Sequence, residues 1–511
     1  MQKLISAGMI ALLLVAGSCR KVWEDHYDEA LANLPGYNLF EYIQSDPDLA
    51  IFTGMLEATG YDSFLSASQS YTVWAPTDQA LSGISLNGEE QVLEIVRNHI
   101  ARGNLGTSGI DSRAVKMING KNITFEREAS GFKFGRMTIL EANIITRNGQ
   151  VHVLDGYVPY KSNILEFINR MEALDSLENF LNSQNRWIFD TLNSIEIGFD
   201  TAANVIYDSA FIFSNLVLNK LGALGTEDSI YTALLPDNNA WVEAYGRAQS
   251  YFNIPEVFGG SARQRMKIQW AIIQDMVFRE VVTDPGLFNY LVSTSRNLFL
   301  SPADLFVNAQ PYELSNGIAY ITTLMPFADT ASWFKTIRVE AEDPFGRDNT
   351  NSNIYNRTGL GSGLDISDES YIVVDPTGTS NIAQPGVRFS IPNTLSATYN
   401  IYCVFVPAYI VDPTNMLANR ADFQLTYVST TAGRTRRHTF TPENSVTDPS
   451  GLTKMFIGQF DFEFANVLDE DYREAAVKLQ VTNDVTIEEE NAGLFSRTMR
   501  IDCIILEPAI E

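Results

Sequence analysis

A chain of 511 residues is too long for one hydrophobic core and suits three domains of roughly 150 residues each. Its 36 Lys and Arg stand against 62 Asp and Glu, a net charge of −26 that would repel a phosphate backbone and argues against nucleic acid as a partner. At 45% hydrophobic it has the material for real cores, and its four His and three Cys leave little from which to build a His/Cys metal site or a His-based triad.

At the N-terminus, Lys3 precedes an apolar run from Leu4 to Val15 and then Ala16-Gly17-Ser18-Cys19. The run is too short to span a bilayer and reads as a signal peptide, residues 1–18. Its small-small-small-Cys ending resembles a bacterial lipobox, with Ala16 where Leu is usual, and that resemblance makes Cys19 the lipidated first residue of the mature chain. An ordinary secretory cut beside an incidental Cys is the alternative. The segment Arg20-Lys21-Val22-Trp23-Glu24-Asp25-His26-Tyr27-Asp28-Glu29 resembles the surface-export signal of Bacteroidetes lipoproteins, and otherwise reads as a solvated tether over 19–36. Together these place the chain at the outer membrane, lipid-anchored and facing the cell exterior.

Three segments then recur in one order. Asn38-Leu39-Phe40-Glu41-Tyr42-Ile43 returns as Asn163-Ile164-Leu165-Glu166-Phe167-Ile168, each with Asn three residues before Glu, the spacing of a capping box. Tyr71-Thr72-Val73-Trp74-Ala75-Pro76 returns as Tyr231-Thr232-Ala233-Leu234-Leu235-Pro236, and Asn148-Gly149-Gln150-Val151 as Asn316-Gly317-Ile318-Ala319. Two copies of one domain are expected. In each, a β-run stops at Pro before a helix, and Asn-Gly turns into an alternating strand, so the two segments should be neighbouring core strands.

YTVWAPTDQAL and NGQVHVLDGYVPY resemble the two signature segments of the fasciclin (FAS1) family. The resemblance covers 37–161 well and 162–335 as a divergent copy. It implies α+β architecture: two fasciclin-like β-wedges with packed helices, serving as extracellular adhesion or ligand-binding modules. His99 lies where animal members carry a Tyr-His pair tied to integrin binding, but Asn98 replaces the Tyr, and Ala142-Asn143-Ile144 stands where those members have an Asp-Ile motif. For His99 and His152, structural roles are the plainer expectation. The second copy is 35 residues longer between Asn163 and Thr232 than the first between Asn38 and Thr72. The excess, near 184–210, is rich in Ile, Phe, Trp and Tyr and is expected to be buried on its neighbours, with a partner surface as the alternative.

After Trp333 the text turns to short β-runs separated by Gly, Pro, Asn and Asp, which reads as an all-β jelly-roll sandwich over 336–511. Cys403 and Cys503 lie in two of these runs, either as a disulfide or as two small core residues. Gly359-x-Gly361-x-Gly363 has no following helix and fails as a nucleotide loop, and the Asp348–Asn353 stretch lacks the Gly and Glu of an EF-hand. Arg434-Thr435-Arg436-Arg437-His438 reads as a solvated hairpin tip. The opening Ile337–Asp343 and closing Arg500–Leu506 runs resemble the galactose-binding-like jelly roll of carbohydrate-binding modules. That resemblance implies a structural Ca²⁺ held by Glu340, Glu342 and Asp502; the alternative is that all three face water at the sandwich edge. No Trp follows 333, which weighs against stacking on a sugar.

These readings converge on a non-catalytic binding or adhesion lipoprotein with a protein or polysaccharide ligand. The alternatives are an accessory subunit of a SusC/SusD-type TonB-dependent glycan-uptake transporter and, third, a glycan-active enzyme.

Overall fold

The computed structural model describes residues 36–84, 88–199, 201, 205–378 and 384–510. The expected signal peptide, Cys19 and nearly all of the expected tether lie outside the described residues. Among the described residues no helix is long and apolar enough to cross a membrane. The architecture is α+β, with a fasciclin-like N-terminal region and a large β-rich C-terminal region. Residues group into two compact units: 36–163 with 225–228 and 314–316, and 164–224 with 229–313 and 317–510.

In the first unit the expected strands Tyr71–Pro76 and Gly149–Leu154 pair directly and in parallel, with Trp74 opposite His152. They lie second and third in a seven-stranded sheet and every residue of both is buried. A parallel pair buried on both faces reads as a continuous apolar run. Alternation then divides two cores. Tyr71, Val73, Ala75, Val151 and Val153 face the helices Leu39–Ser45, Ala50–Ala58 and Glu89–Asn98, while Trp74 and Leu154 face Phe125 and Phe134. Asn38 and Glu41 form the expected capping box, and Thr77 caps the turn after Pro76. Gly149 begins its strand so close to Tyr71 that a Cβ there would lie 2.0 Å from the Tyr71 carbonyl oxygen, so only glycine fits.

Both histidines of this unit are inaccessible to solvent and tied to backbone. His99 Nδ1 lies 2.7 Å from the Ile95 carbonyl and its Nε2 accepts from the Val158 N–H. His152 is set the other way round, with Nε2 on the Leu105 carbonyl and Nδ1 accepting from Asn143 N–H. Each ring therefore donates once and accepts once, as a neutral imidazole does. Burial pulls His99 down to about 4 and lowers His152 as well.

The second unit repeats the parallel pair. Tyr231–Pro236 lies beside Gly317–Thr322 in the register of the first pair, Tyr231 against Gly317 as Tyr71 against Gly149. A Cβ on Gly317 would stand 1.8 Å from the Tyr231 carbonyl, the same close approach. Asp237 caps the helix Asn238–Gln249 through the Ala240 N–H. Within this unit the second pair's helices are joined to the β-rich region by buried charge. Asp469 accepts from Arg263 Nε and Nη2 and lies 2.7 Å from Lys267 Nζ. Against the upward push of burial, these cations hold the Asp469 carboxyl down to about 2.

The C-terminal region is a sandwich of a six-stranded and a five-stranded antiparallel sheet. The short β-runs expected after Trp333 appear as strands that include Ser370–Pro376, Gly386–Ser390, Thr398–Phe405, Ala421–Val428, Thr453–Asp461, Lys478–Asn483 and Met499–Pro508. Phe405 of one sheet meets Phe423 of the other. Cys403 and Cys503 are both free thiols. Cys403 pairs with Ile504 and Cys503 with Val404, so the two side chains leave opposite faces of the sheet and cannot be bridged.

Two expectations are corrected. The basic run 434–438 is not a hairpin tip. Thr435–Phe440 is an exposed edge strand beside Ala421–Val428, where arginines discourage edge-to-edge pairing. The insertion is not buried on its neighbours either. Asn185–Phe189 pairs with Phe211–Asn215, and Ile195–Phe199 with Val205–Asp208, making a bent β-ribbon. Trp187 is 71% exposed and Leu192 93%.

Candidate metal centre

The strand Ile337–Glu340 runs antiparallel to Met499–Pro508, with Glu340 opposite Cys503, and so ties the beginning of the sandwich to its end. The strand stops at Glu340; the next N–H, from Ala341, still donates to the Asp502 carbonyl. Asp502 sits at an irregularity in the ladder. Val404 pairs with Cys503 and Phe405 with Ile501, so Asp502 is an extra residue in the closing strand. Such bulges re-aim side chains, and here the Asp502 carboxylate lies beside Glu340 and the Cys503 sulfur.

Glu340 is the shared member of two clusters. Its carboxylate lies within 4.8 Å of Asp502 and Cys503, and in a second grouping within 4.8 Å of Glu342 and Asp368. The structure thus brings Glu340 to Asp502 and Glu342 to Glu340, without gathering Glu340, Glu342 and Asp502 into one tight trio. Asp368 is an acid the sequence reading missed. It sits in the turn Ser367–Glu369 with φ of 47°, followed by Glu369 at 53°, and two successive non-glycine residues in that region carry strain. Nothing in Ile366-Ser367-Asp368-Glu369 distinguishes this turn from a solvated acidic loop.

Ser367 holds the group together. Its N–H donates to both Asp502 oxygens, at 3.1 and 3.3 Å, and its hydroxyl donates to Glu340 Oε1 at 2.8 Å. Arg338 Nη1 donates to the same hydroxyl oxygen. That leaves Glu340 Oε2 and Glu342 Oε2 shielded from solvent with no hydrogen-bond donor. Burial, and then the charges of Glu340 and Glu342, push the Asp502 carboxyl up to about 7. Burial raises Glu342 too, helped by Glu340, Asp368 and Asp343.

Orphaned, water-shielded carboxylate oxygens beside a carboxyl that resists ionising are chemically suited to a cation. The donor set is hard oxygen. Cys503 does not change that, because burial and then Asp502 push its thiol far above its usual range and it stays protonated. Oxygen donors of this kind match Ca²⁺, which takes six to eight oxygens in flexible geometry, better than a thiolate-seeking metal. Glu340, Glu342 and Asp368 also line a cleft of about 860 Å³ with Asp343, Asp348 and Lys478.

With this geometry in place, comparison with known proteins locates the chain. Residues 47–158 match the fasciclin domain. The chain is 27% identical over 100 residues to protein sll1483 of Synechocystis sp., across 18% of this chain and 56% of that protein, so it spans about half the length of the curated relative. Among solved structures it is similar to a FAS1 domain pair from the insect cell adhesion molecule fasciclin I, at 12% identity, covering 57% of this chain and 97% of that chain, TM-score 0.20. It is also similar to a CBM28 module specific for non-crystalline cellulose, at 9% identity, covering 33% of this chain and 89% of that chain, TM-score 0.15. Both scores fall far below 0.5 and carry no functional weight.

Proposed function

We propose that this chain is an outer-membrane lipoprotein that displays two fasciclin domains and a terminal sandwich on the cell surface as a non-catalytic binding or adhesion module. The observation that carries the reading is the fasciclin match over 47–158, seated on a parallel strand pair that recurs in register at 231–236 and 317–322. The neutral, backbone-bonded state of His99 and His152 supports it, since neither ring is placed to accept a substrate proton. A pull-down of the native lipoprotein from detergent-solubilised outer membrane tests it. A bound adhesin or polysaccharide supports the reading, and a stoichiometric TonB-dependent transporter would replace it with the accessory-subunit role. Turnover of a glycan panel would overturn the non-catalytic assignment.

Anchoring rests on Cys19. Cys19→Ala is expected to leave the membrane fraction or to accumulate uncleaved, read by fractionation and intact mass. A cleaved variant retained at normal levels in the membrane would refute the lipid assignment.

In this reading the carboxylate cluster is structural. Glu340 together with Asp502 would hold a Ca²⁺ that fastens the sandwich's first strand to its last, with Glu342 and Asp368 in the neighbouring group that shares Glu340.

A further inference from the structure

The second unit carries a groove that neither its strand pair nor its carboxylate cluster accounts for. A cavity of about 830 Å³ is lined by the helices Gly260–Ile273 and Leu216–Leu221 and by the loop 467–473 of the sandwich. It shares Trp333 and Asn393 with a neighbouring cavity of about 300 Å³, and Leu468 and Arg473 with the cleft of about 860 Å³ beside Glu340. The three adjoin, and make an elongated groove rather than a pocket closed around one small molecule.

The walls of the first cavity mix rings with charge. Trp270 is half-buried on its helix with Lys220 Nζ 5.5 Å from its ring centroid, and Trp333 is buried where the first two cavities meet. Asp469 is taken up by Arg263 and Lys267. Lys220, Arg473, Glu470 and Asp471 are exposed, and among the described residues none of the four is in an ion pair. Cations that donate and carboxylates that accept, set beside an indole, suit a ligand whose groups do both, and sugar hydroxyls are such groups. The same charges are costly against a lipid tail. Two unpaired acids in a chain of net charge −26 repel a phosphate. A peptide is the less apt polymer, because Arg186 is the one strand residue in these walls and no strand edge runs along them for main-chain pairing.

We propose that this groove binds a glycan chain. A sugar ring lies against the Trp270 indole beside the Lys220 ammonium, and its hydroxyls bond to Lys220, Arg473, Glu470 and Asp471. A sandwich with no Trp after 333 has none of its own to offer a sugar, and here the region of the second copy supplies it. The inference rests on the binding-module reading and gives it a ligand class.

The test uses the full-length chain carrying Cys19→Ser, which removes the expected lipid, in titration calorimetry with cellohexaose, xylohexaose and hexagalacturonic acid. Saturable binding of at least one is expected. Trp270→Ala, and separately Lys220→Gln/Arg473→Gln, should weaken it roughly 10-fold or more, while Trp270→Phe keeps most of the affinity. The double variant changes exposed side chains only, so its melt should match the parent's, and it carries the test if Trp270→Ala disturbs the helix. No heat with any of the three sugars, or binding that both variants leave unchanged, would overturn the proposal. Saturable binding of a casein digest that is lost in the same variants, and that the sugars do not displace, would replace the glycan with a peptide. A chain that captures a surface partner in the pull-down but binds no sugar keeps the binding-module reading and loses this one alone.

Discussion

Trp74→Ala in the full-length chain is expected to abolish the first unit's thermal transition while leaving the second unit's in place. Trp74 is fully buried, stacked on Phe134 with centroids 4.1 Å apart and planes 7° from parallel, edge-on to Phe125 and stacked on His152. It is the largest side chain of its core, and truncating a buried Trp costs about 3–5 kcal/mol, a large part of the stability of a domain of this size. Trp74→Phe should be far milder, because the indole N–H is itself buried without an acceptor and its loss removes a desolvated donor. Calorimetry of the three proteins decides the matter. An unchanged first transition in Trp74→Ala would mean that the strand does not face the core as described.

The second large effect concerns Asp502 and depends on pH. Its carboxyl titrates near 7 in the folded chain and near 3.8 when unfolded, so the folded state holds its proton more tightly. Stability is therefore full below the unfolded value, falls as pH rises, and is lost by the time pH passes about 7. At about 1.4 kcal/mol per unit the loss reaches a few kcal/mol. If a Ca²⁺ binds as proposed it takes the proton's place, so chelated protein should melt lower at about pH 7.5 than at about pH 5, and added Ca²⁺ should remove the difference. Asp502→Asn should flatten the pH slope and shrink the response to Ca²⁺. His99 works in the opposite sense. Its folded value, about 4, lies below the ordinary 6.5, so the first unit loses stability as pH falls through that window. The two transitions should move apart in opposite directions when pH is changed. Identical melts with chelator and with Ca²⁺ at both pH values would end the cation assignment.

Much of the central architecture was legible because it rests on local chemistry. Pro76 and Pro236 end strands, Asn38 caps a helix, and Gly149 and Gly317 are forced by a neighbouring carbonyl, so each leaves a fixed mark in the text. The strands of the sandwich were legible from turn residues and alternation. The carboxylate site was legible in part. Glu340, Glu342 and Asp502 were reached through the resemblance of the opening and closing runs, but the bulge that turns Asp502 towards Glu340 arises from how Thr398–Phe405 pairs with Met499–Pro508, a long-range register that no local residue encodes. Asp368 was missed for the same reason, since a left-handed Asp in an acidic turn looks like any surface loop. The ribbon's fate was misjudged because composition reports how apolar a segment is and not whether anything stands beside it.

The first unit is not a continuous stretch of chain. Its sheet is complete by Leu154, yet it also contains 225–228 and 314–316, and Lys121 is buried in it against Glu227 at 2.7 Å. During vectorial synthesis the leading unit would therefore wait for distant sequence. A nascent chain threaded out as far as residue 161 has every strand of the sheet but still lacks the carboxylate that meets Lys121. Completion comes only once residue 316 has emerged, when the first strand of the second parallel pair, Tyr231–Pro236, has been made and its partner is about to follow. Folding that must bridge so long a separation is slow to close. An incompletely sealed first unit is then the state that export and quality-control machinery would meet, and a chain truncated at the apparent repeat boundary would remain in it.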